Sequence, residues 1–268
     1  MLLASKLVDK DIKKNVASAF GDHAKDYIKY AHVQRQAAEF MVSMFEDIII
    51  TLEPPYIELG AGTGFVTQSL VPLLPEGDFY VTDISEEMLN VCRHNLTYPK
   101  KMRVHFEQRD AEKSLSDNQY GLIITALTAQ WFSNTEMVLL RLLESLKPGG
   151  VLLYSYMDER CFPEWKVLCA ETGIPFTGNQ LPSSAPLQIN STRFNWEYSS
   201  SDLFTETYES PSDFFRNLKR IGAGTQTSSS KGNYGAILAL NEYWLLKNKS
   251  NFQITYGITF GAIRRKYD

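Results

Sequence analysis

Cysteine is scarce here. The chain has three in 268 residues, Cys92, Cys161 and Cys169, and no two stand at C-x-x-C spacing. Its four histidines are scattered. A zinc site built from such ligands is not expected, nor is any other metal. A sparse, odd cysteine count fits a reducing cytoplasm. Long apolar runs are missing too. None reaches the roughly 20 residues that a membrane-crossing helix needs, so no membrane contact is expected. Met1-Leu2-Leu3-Ala4 gives way to Ser5-Lys6, too early for a signal sequence. Positive charge is not in excess. Lys and Arg number 27 against 31 Asp and Glu, a net −4, which argues against a nucleic-acid enzyme with a broad basic surface. There is no internal repeat. Apolar residues are plentiful, 44% of the total, enough for one large α/β domain with an insertion or for two small domains.

The chain is organised around Tyr56–Gly64, YIELGAGTG. Tyr56-Ile57-Glu58-Leu59 reads as a strand. Gly60-Ala61-Gly62-Thr63-Gly64 is a glycine turn, and Phe65, Val66, Leu70 and Leu74 follow at helix spacing. Glycines permit positive φ and a close approach of ligand to backbone, and the free N–H groups of the helix start are donors. A tight turn without a ligand would look the same. Two acids add weight. Glu58 ends the first strand, where an acid needs a partner to leave water. About twenty residues on, Phe79–Asp83 is a second strand ending in an acid, the position that accepts the two hydroxyls of a ribose.

The E-L-G-A-G-T-G turn followed by Asp83 resembles motif I and the next acid of the class I S-adenosylmethionine-dependent methyltransferases. The resemblance implies S-adenosylmethionine as cofactor and S-adenosylhomocysteine as product. Gly60, Ala61 and Gly62 would pass beneath the homocysteine part, and Asp83 would hold the ribose, with Ile84 and Met88 beside it. Glu58 would order the turn and meet the amino group. Val104–Glu107 reads as a third strand. In the family, an acid after it, here Asp110, reads the adenine amino group while the N–H of Ala111 reads a ring nitrogen. The alternative for Asp110 is a turn acid or helix cap, but the strand count favours the cofactor role. Ser85 is placed to cap a helix whose apolar face includes Cys92, a core thiol rather than a reactive one.

Tyr120–Thr125 is apolar on both faces, as a central parallel strand should be. It opens into Ala126–Phe132. Ala126 would meet the cofactor, and Trp131 is either core or a wall of the substrate site. The family usually carries S-N-x-A-x-Q-W here. This chain has Thr125-Ala126 in place of Ser-Asn and then Ala129, Gln130 and Trp131 as expected. Glu136–Leu146 is predicted as a helix with Met137, Leu140, Leu143 and Leu146 inward. Lys147-Pro148-Gly149-Gly150 is predicted as a sharp stop before strand Val151–Ser155. Five β-α repeats over residues 48–155, with an antiparallel final strand at Gln253–Ile263, imply a doubly wound, mostly parallel, seven-stranded α/β sheet.

Residues 9–20 are predicted as a short helix ending at Gly21, and a second helix runs through Phe45. Tyr27, Tyr30, His32 and Gln34 are expected on an irregular link between them. The pattern Phe20, Gly21, Ala24, Tyr27, Ala31, Gln34 resembles the start of the biotin-pathway malonyl-carrier-protein methyltransferases. In that family the tyrosine lies over the cofactor and closes the pocket, and Gln34 would face the methionine carboxylate. Further on, Phe162–Thr172 looks helical, Gly173–Asn195 loop-rich, and Leu203–Tyr208 strand-like. Ser210-Pro211-Ser212-Asp213 starts another helix. Its stretch FFRNLKRIGA, Phe214–Ala223, resembles the L-K-x-I-G-A helix of the same enzymes, and Ile254 to Gly261 resembles their ending. Arg216, Lys219 and Arg220 are either a solvated face or contacts for a substrate carboxylate or an acidic carrier. Thr225–Gly232 is Ser/Gly-rich.

These readings divide the chain into a closing N-terminal segment (1–47), a cofactor-binding domain (48–208 and 251–268) and an inserted lid (209–250). The resemblance implies esterification of the free carboxylate of a malonyl thioester on acyl carrier protein, by a cytoplasmic monomer of the biotin pathway. Tyr27, Trp131, Phe215 and Arg216 would meet the substrate. A carboxylate is already ionised near neutral pH, so no general base is required. A phenol or carbon acid would need one, with His23 and His32 the nearby candidates. A methyltransferase of small acids (trans-aconitate-like) or of other small molecules, and a non-catalytic cofactor-binding partner subunit, are the other readings.

Overall fold

The most apolar stretches of the chain pair side by side at the centre of one sheet. The computed structural model describes residues 2–224, 234–247 and 251–267, with side chains described from Ile12 onward. The expected Ser/Gly-rich segment from Thr225 to Gly232 lies outside them. Strands β1 (Tyr56–Leu59), β2 (Gly77–Asp83), β3 (Met102–Gln108), β4 (Tyr120–Ala126) and β5 (Leu146–Met157) run parallel. β6 (Phe194–Tyr208) and β7 (Phe252–Arg265) are antiparallel to each other, and β7 is antiparallel to β5. The order is β3-β2-β1-β4-β5-β7-β6, the doubly wound, mostly parallel seven-stranded sheet that was expected. All of β1 and all but the last residue of β4 are buried, because helices cover both faces there. Chain order reverses between β1 and β4. Their carboxyl ends, Leu59 and Ala126, therefore flank an open crevice.

Helices α1 (Leu2–Asp22), α2 (Ala24–Tyr30), α3 (His32–Met44) and α4 (Glu46–Ile49) precede the sheet. Tyr27, Tyr30, His32 and Gln34 are thus helical and not on an irregular link. After Gly21 no glycine or proline interrupts the chain before Pro54, and between α2 and α3 a kink at Ala31 (φ −90°, ψ 59°) is enough to turn it. α5 (Phe65–Leu70) follows the glycine turn. α6 (Glu86–Asn95) is capped by Ser85, whose Oγ accepts the Met88 N–H at 3.3 Å. Cys92 is fully buried on this helix, as expected of a core thiol, and burial raises its pKa.

α7 (Thr135–Glu144) buries Val138, Leu139, Leu142 and Leu143, while Met137 is 64% exposed. The predicted inward set stepped by threes. Each such step lags a 3.6-residue repeat by about 60°, so its ends fall on opposite sides of the helix. The Lys147–Gly150 stretch is not a stop but a bulge inside β5. Tyr120 pairs with Leu146, and the next pair is Leu122 with Val151. β6 is 15 residues long, well beyond the predicted Leu203–Tyr208, because Ser199-Ser200-Ser201-Asp202 is polar yet pairs residue by residue with β7. α8 (Pro163–Thr172), α9 (Pro211–Arg220) and α10 (Tyr234–Lys247) lie where helices were predicted. Ser210 caps α9 by accepting the Asp213 N–H, and Gly222 ends it at φ 73°. The wholly buried Phe214 anchors α9 among Phe162, Trp165, Tyr208 and Phe252.

Candidate functional site

The glycine turn is held open by hydrogen bonds from its own backbone. Gly60 and Ala61 N–H both donate to Thr82 O at 2.9 Å. Gly62 N–H donates to Asp83 Oδ2 at 2.8 Å, and Ser85 N–H donates to Asp83 Oδ1 at 2.8 Å. The glycines differ in purpose. Gly60 (φ 76°) packs on Thr128, where a Cβ would collide with the threonine side chain. Gly62 (φ 56°) has nothing within 4 Å of a Cβ, so its face is open. Only glycine takes both conformations without strain.

Glu58 is 1% exposed and accepts the Thr67 hydroxyl at 2.7 Å on Oε2. Burial pushes its pKa up to about 7, against the pull of the Thr67 hydrogen bond and with a smaller push from the charge of Asp83. Asp83 is also raised, by burial, with the N–H groups of Ser85 and Gly62 acting the other way. These groups stand where a ligand cation and ligand hydroxyls would supply the missing partners. The Thr63 hydroxyl is buried beside them with no partner among the described residues. Acids, an orphaned hydroxyl and an open glycine face fit the amino, carboxylate and ribose groups of S-adenosylmethionine.

The crevice forms a first cavity of about 130 Å³. Tyr27, Gln34, Glu58, Gly60, Ala61 and Gly62 line it, as do Asp83, Ile84, Met88, Asp110, Ala111 and Ala126. All twelve residues expected at the cofactor are therefore brought together. Asp110 lines the cavity and is a turn acid. Its Oδ1 accepts the Glu112 N–H at 2.9 Å like a turn acid, and its Oδ2 faces a lysine, Lys13, at 3.0 Å. Tyr27 stacks on Phe65 with centroids 5.8 Å apart and meets Phe20 edge-on, and Phe20 meets Trp131 edge-on at 5.5 Å. This row of rings roofs the cavity. Burial, aided by the charge of Asp83, raises the Tyr27 phenol. Sequence reasoning missed Lys13, Thr63, Phe65 and Thr128 as wall residues. The signal for Thr63 was present, since it lies within the glycine turn.

A second cavity of about 700 Å³ adjoins the first and shares Gln34 and Trp131 with it. Trp131 is therefore a wall residue and not core. Phe162, Trp165, Phe215, Leu218 and Leu240 make the second cavity apolar. Among its described lining residues there is no carboxylate. Lys219 is the lone lysine or arginine, and His23 is also present. Phe215 is where it was expected. Arg216 lines neither cavity: it is exposed and bound to Asp213 on its own helix. Arg220 rests over the Tyr30 ring, 4.8 Å from the centroid. No helix among the described residues is long and apolar enough to cross a membrane.

Residues 53–202 match the family model for a methyltransferase domain. The chain is 27% identical to malonyl-[acyl-carrier protein] O-methyltransferase of Magnetococcus marinus, over 94% of this chain and 93% of that one. It is 30% identical to the Bacillus cytotoxicus protein of the same name, over 80% of this chain and 76% of that one. Among solved structures it is similar in fold to BH2331 of Bacillus halodurans C-125. The TM-score is 0.54 at 15% identity, over 84% of this chain and 98% of that one.

Proposed function

Because the chain belongs to the methyltransferase-domain family, as a class I S-adenosylmethionine-dependent methyltransferase related to the malonyl-[acyl-carrier protein] O-methyltransferases, we propose that it esterifies a malonyl thioester. The acceptor is the free carboxylate of malonyl on acyl carrier protein, early in biotin synthesis. The observation that carries this reading is the division of charge between the cavities. Four carboxylates, Glu58, Asp83, Asp110 and Glu112, outnumber Lys13 and Arg109 around the first, which suits a cationic cofactor, while the second has Lys219 and no described carboxylate, which suits an anionic acceptor.

Bound S-adenosylmethionine supplies an electrophilic methyl group. The chain's own residues position and enclose. Asp83 would accept the ribose hydroxyls while its oxygens keep the Gly62 and Ser85 N–H groups. Glu58 would meet the amino group and Thr63 the carboxylate. Gln34 and Trp131 line both cavities and would stand between cofactor and acceptor. The acceptor is ionised at neutral pH and loses no proton, so no side chain acts as general base. The rate then comes from alignment and from keeping water away from two opposite charges that vanish together. The row from Phe65 through Tyr27 and Phe20 to Trp131 supplies that exclusion. In this reading residues 1–47 close the cofactor end, 48–208 and 251–268 bind the cofactor, and 209–250 cover the acceptor.

The test is methyl transfer from labelled S-adenosylmethionine to malonyl-acyl carrier protein, malonyl-coenzyme A and trans-aconitate in parallel. The carrier-bound malonyl group should be the best acceptor. A clear preference for trans-aconitate over both thioesters would overturn the substrate assignment.

A further inference from the structure

The first cavity lies under α1, whose Ile12, Lys13, Val16 and Phe20 lie on one helical face and line it.

Lys13 joins that helix to the floor. Its Nζ is 3.0 Å from Asp110 Oδ2 and 3.1 Å from Glu112 Oε1. The three side chains are only 21%, 24% and 12% exposed. Burial works to lower the lysine pKa, but the hydrogen bonds and charges of the two acids outweigh it and raise it, so the ammonium stays charged. The other end of α1 is packed without slack. A Cβ on Gly21 would stand 2.8 Å from Glu87 Oε2, and one on Gly222 would stand 2.6 Å from Ala19 O. The helix is thus held by close backbone packing of Ala19 and Phe20 on Gly222 and by an ion pair near Lys13. Ion pairs part more easily than packed backbone.

We propose that Lys13 is a cofactor-site residue whose ion pair with Asp110 and Glu112 latches α1 over the adenine end and opens at each exchange of S-adenosylmethionine and its product. A carboxylate oxygen has room for two donors, so Asp110 Oδ2 can keep Lys13 while accepting a ligand N–H. The latch is therefore made in both the free and the loaded protein, and removing it changes rates more than affinity. This inference rests on the cofactor assignment and not on the acceptor.

Stopped-flow tryptophan fluorescence on mixing with S-adenosylhomocysteine reads the exchange. Lys13→Met keeps the stem and loses the charge. It should speed both association and dissociation on the order of fivefold, the upper range for a partly exposed ion pair, while Kd moves less than about twofold. Lys13→Arg should restore rates close to the original. Added salt should speed exchange in the original protein and not in Lys13→Met. Without any ligand, amide hydrogen exchange over residues 12–20 should quicken in Lys13→Met while β4 stays protected, a readout that is independent of activity. Unchanged rates in Lys13→Met would overturn the latch. So would weaker binding through faster dissociation alone, since Lys13 would then be holding the ligand. A failure to bind either cofactor form in the original protein would overturn the cofactor assignment beneath it.

Discussion

Replacing Glu58 by glutamine should flatten the pH dependence of S-adenosylmethionine binding. Glu58 is buried, and its pKa near 7 comes first from that burial. In the free protein it is about half protonated at pH 7 and about nine-tenths protonated at pH 6. A ligand ammonium beside it favours the carboxylate, so the bound form loses that proton. Binding must then weaken as pH falls. Between pH 7 and pH 6 the ionised fraction drops from about one half to about one eleventh, a loss of about fivefold in affinity or about 1 kcal/mol. The ligand's own amino group has a free value near about 7.7–8.0 and stays charged over this window. Calorimetric titrations in two buffers of different ionisation heat measure both Kd and proton release. At pH 6.5 about three-quarters of a proton should leave per ligand bound. In Glu58→Gln both the pH dependence and the proton release should vanish, with weaker binding at pH 7. A wild-type Kd that is flat from pH 6 to 7, or a pH dependence that survives in Glu58→Gln, would refute the reasoning.

Asp83→Ala should cut S-adenosylmethionine affinity by more than tenfold. It should also lower the melting temperature, because the Gly62 and Ser85 N–H groups lose their acceptor at about 1–3 kcal/mol each when left unpaired. An unchanged melt would contradict those hydrogen bonds. Tyr27→Ala breaks the stack on Phe65 and the edge contact with Phe20, so turnover should fall more than stability, whereas Tyr27→Phe keeps both ring contacts and most of the activity. Full activity in Tyr27→Ala would reduce α2 to a structural cover. Lys219→Glu should raise KM for carrier-bound and small malonyl substrates alike, by about three- to tenfold at surface-like screening. Arg216→Glu should leave both KM values within about twofold, since Arg216 lies outside both cavities. Steady-state kinetics on the two substrates decides between them.

Much of this site was legible in the linear chain because its logic is local. A strand, a glycine turn and a helix are set by neighbouring residues, and the positive φ at Gly60, Gly62 and Gly64 is a demand made within five positions. Asp83 was legible for the same reason one repeat later, since parallel β-α units place each strand end at the same edge. The caps at Ser85 and Ser210 act over three residues and were equally readable. What the chain alone could not decide is orientation and distant company. Helix spacing put Arg216, Lys219 and Arg220 together on α9, but only packing shows Lys219 at the second cavity, with Arg216 on Asp213 and Arg220 on Tyr30. The buried face of α7 depended on where the sheet lay beneath it. Tyr27 and Trp131 became walls of one cavity only when α2 had packed among α1, α6 and α9. Lys13 and Asp110 stand 97 positions apart, and no local rule connects them. Backbone geometry and capping are short-range forces and leave their marks in sequence order. Burial, ion pairing and cavity volume depend on which surfaces meet, and that is decided only when the whole sheet and its helices have closed.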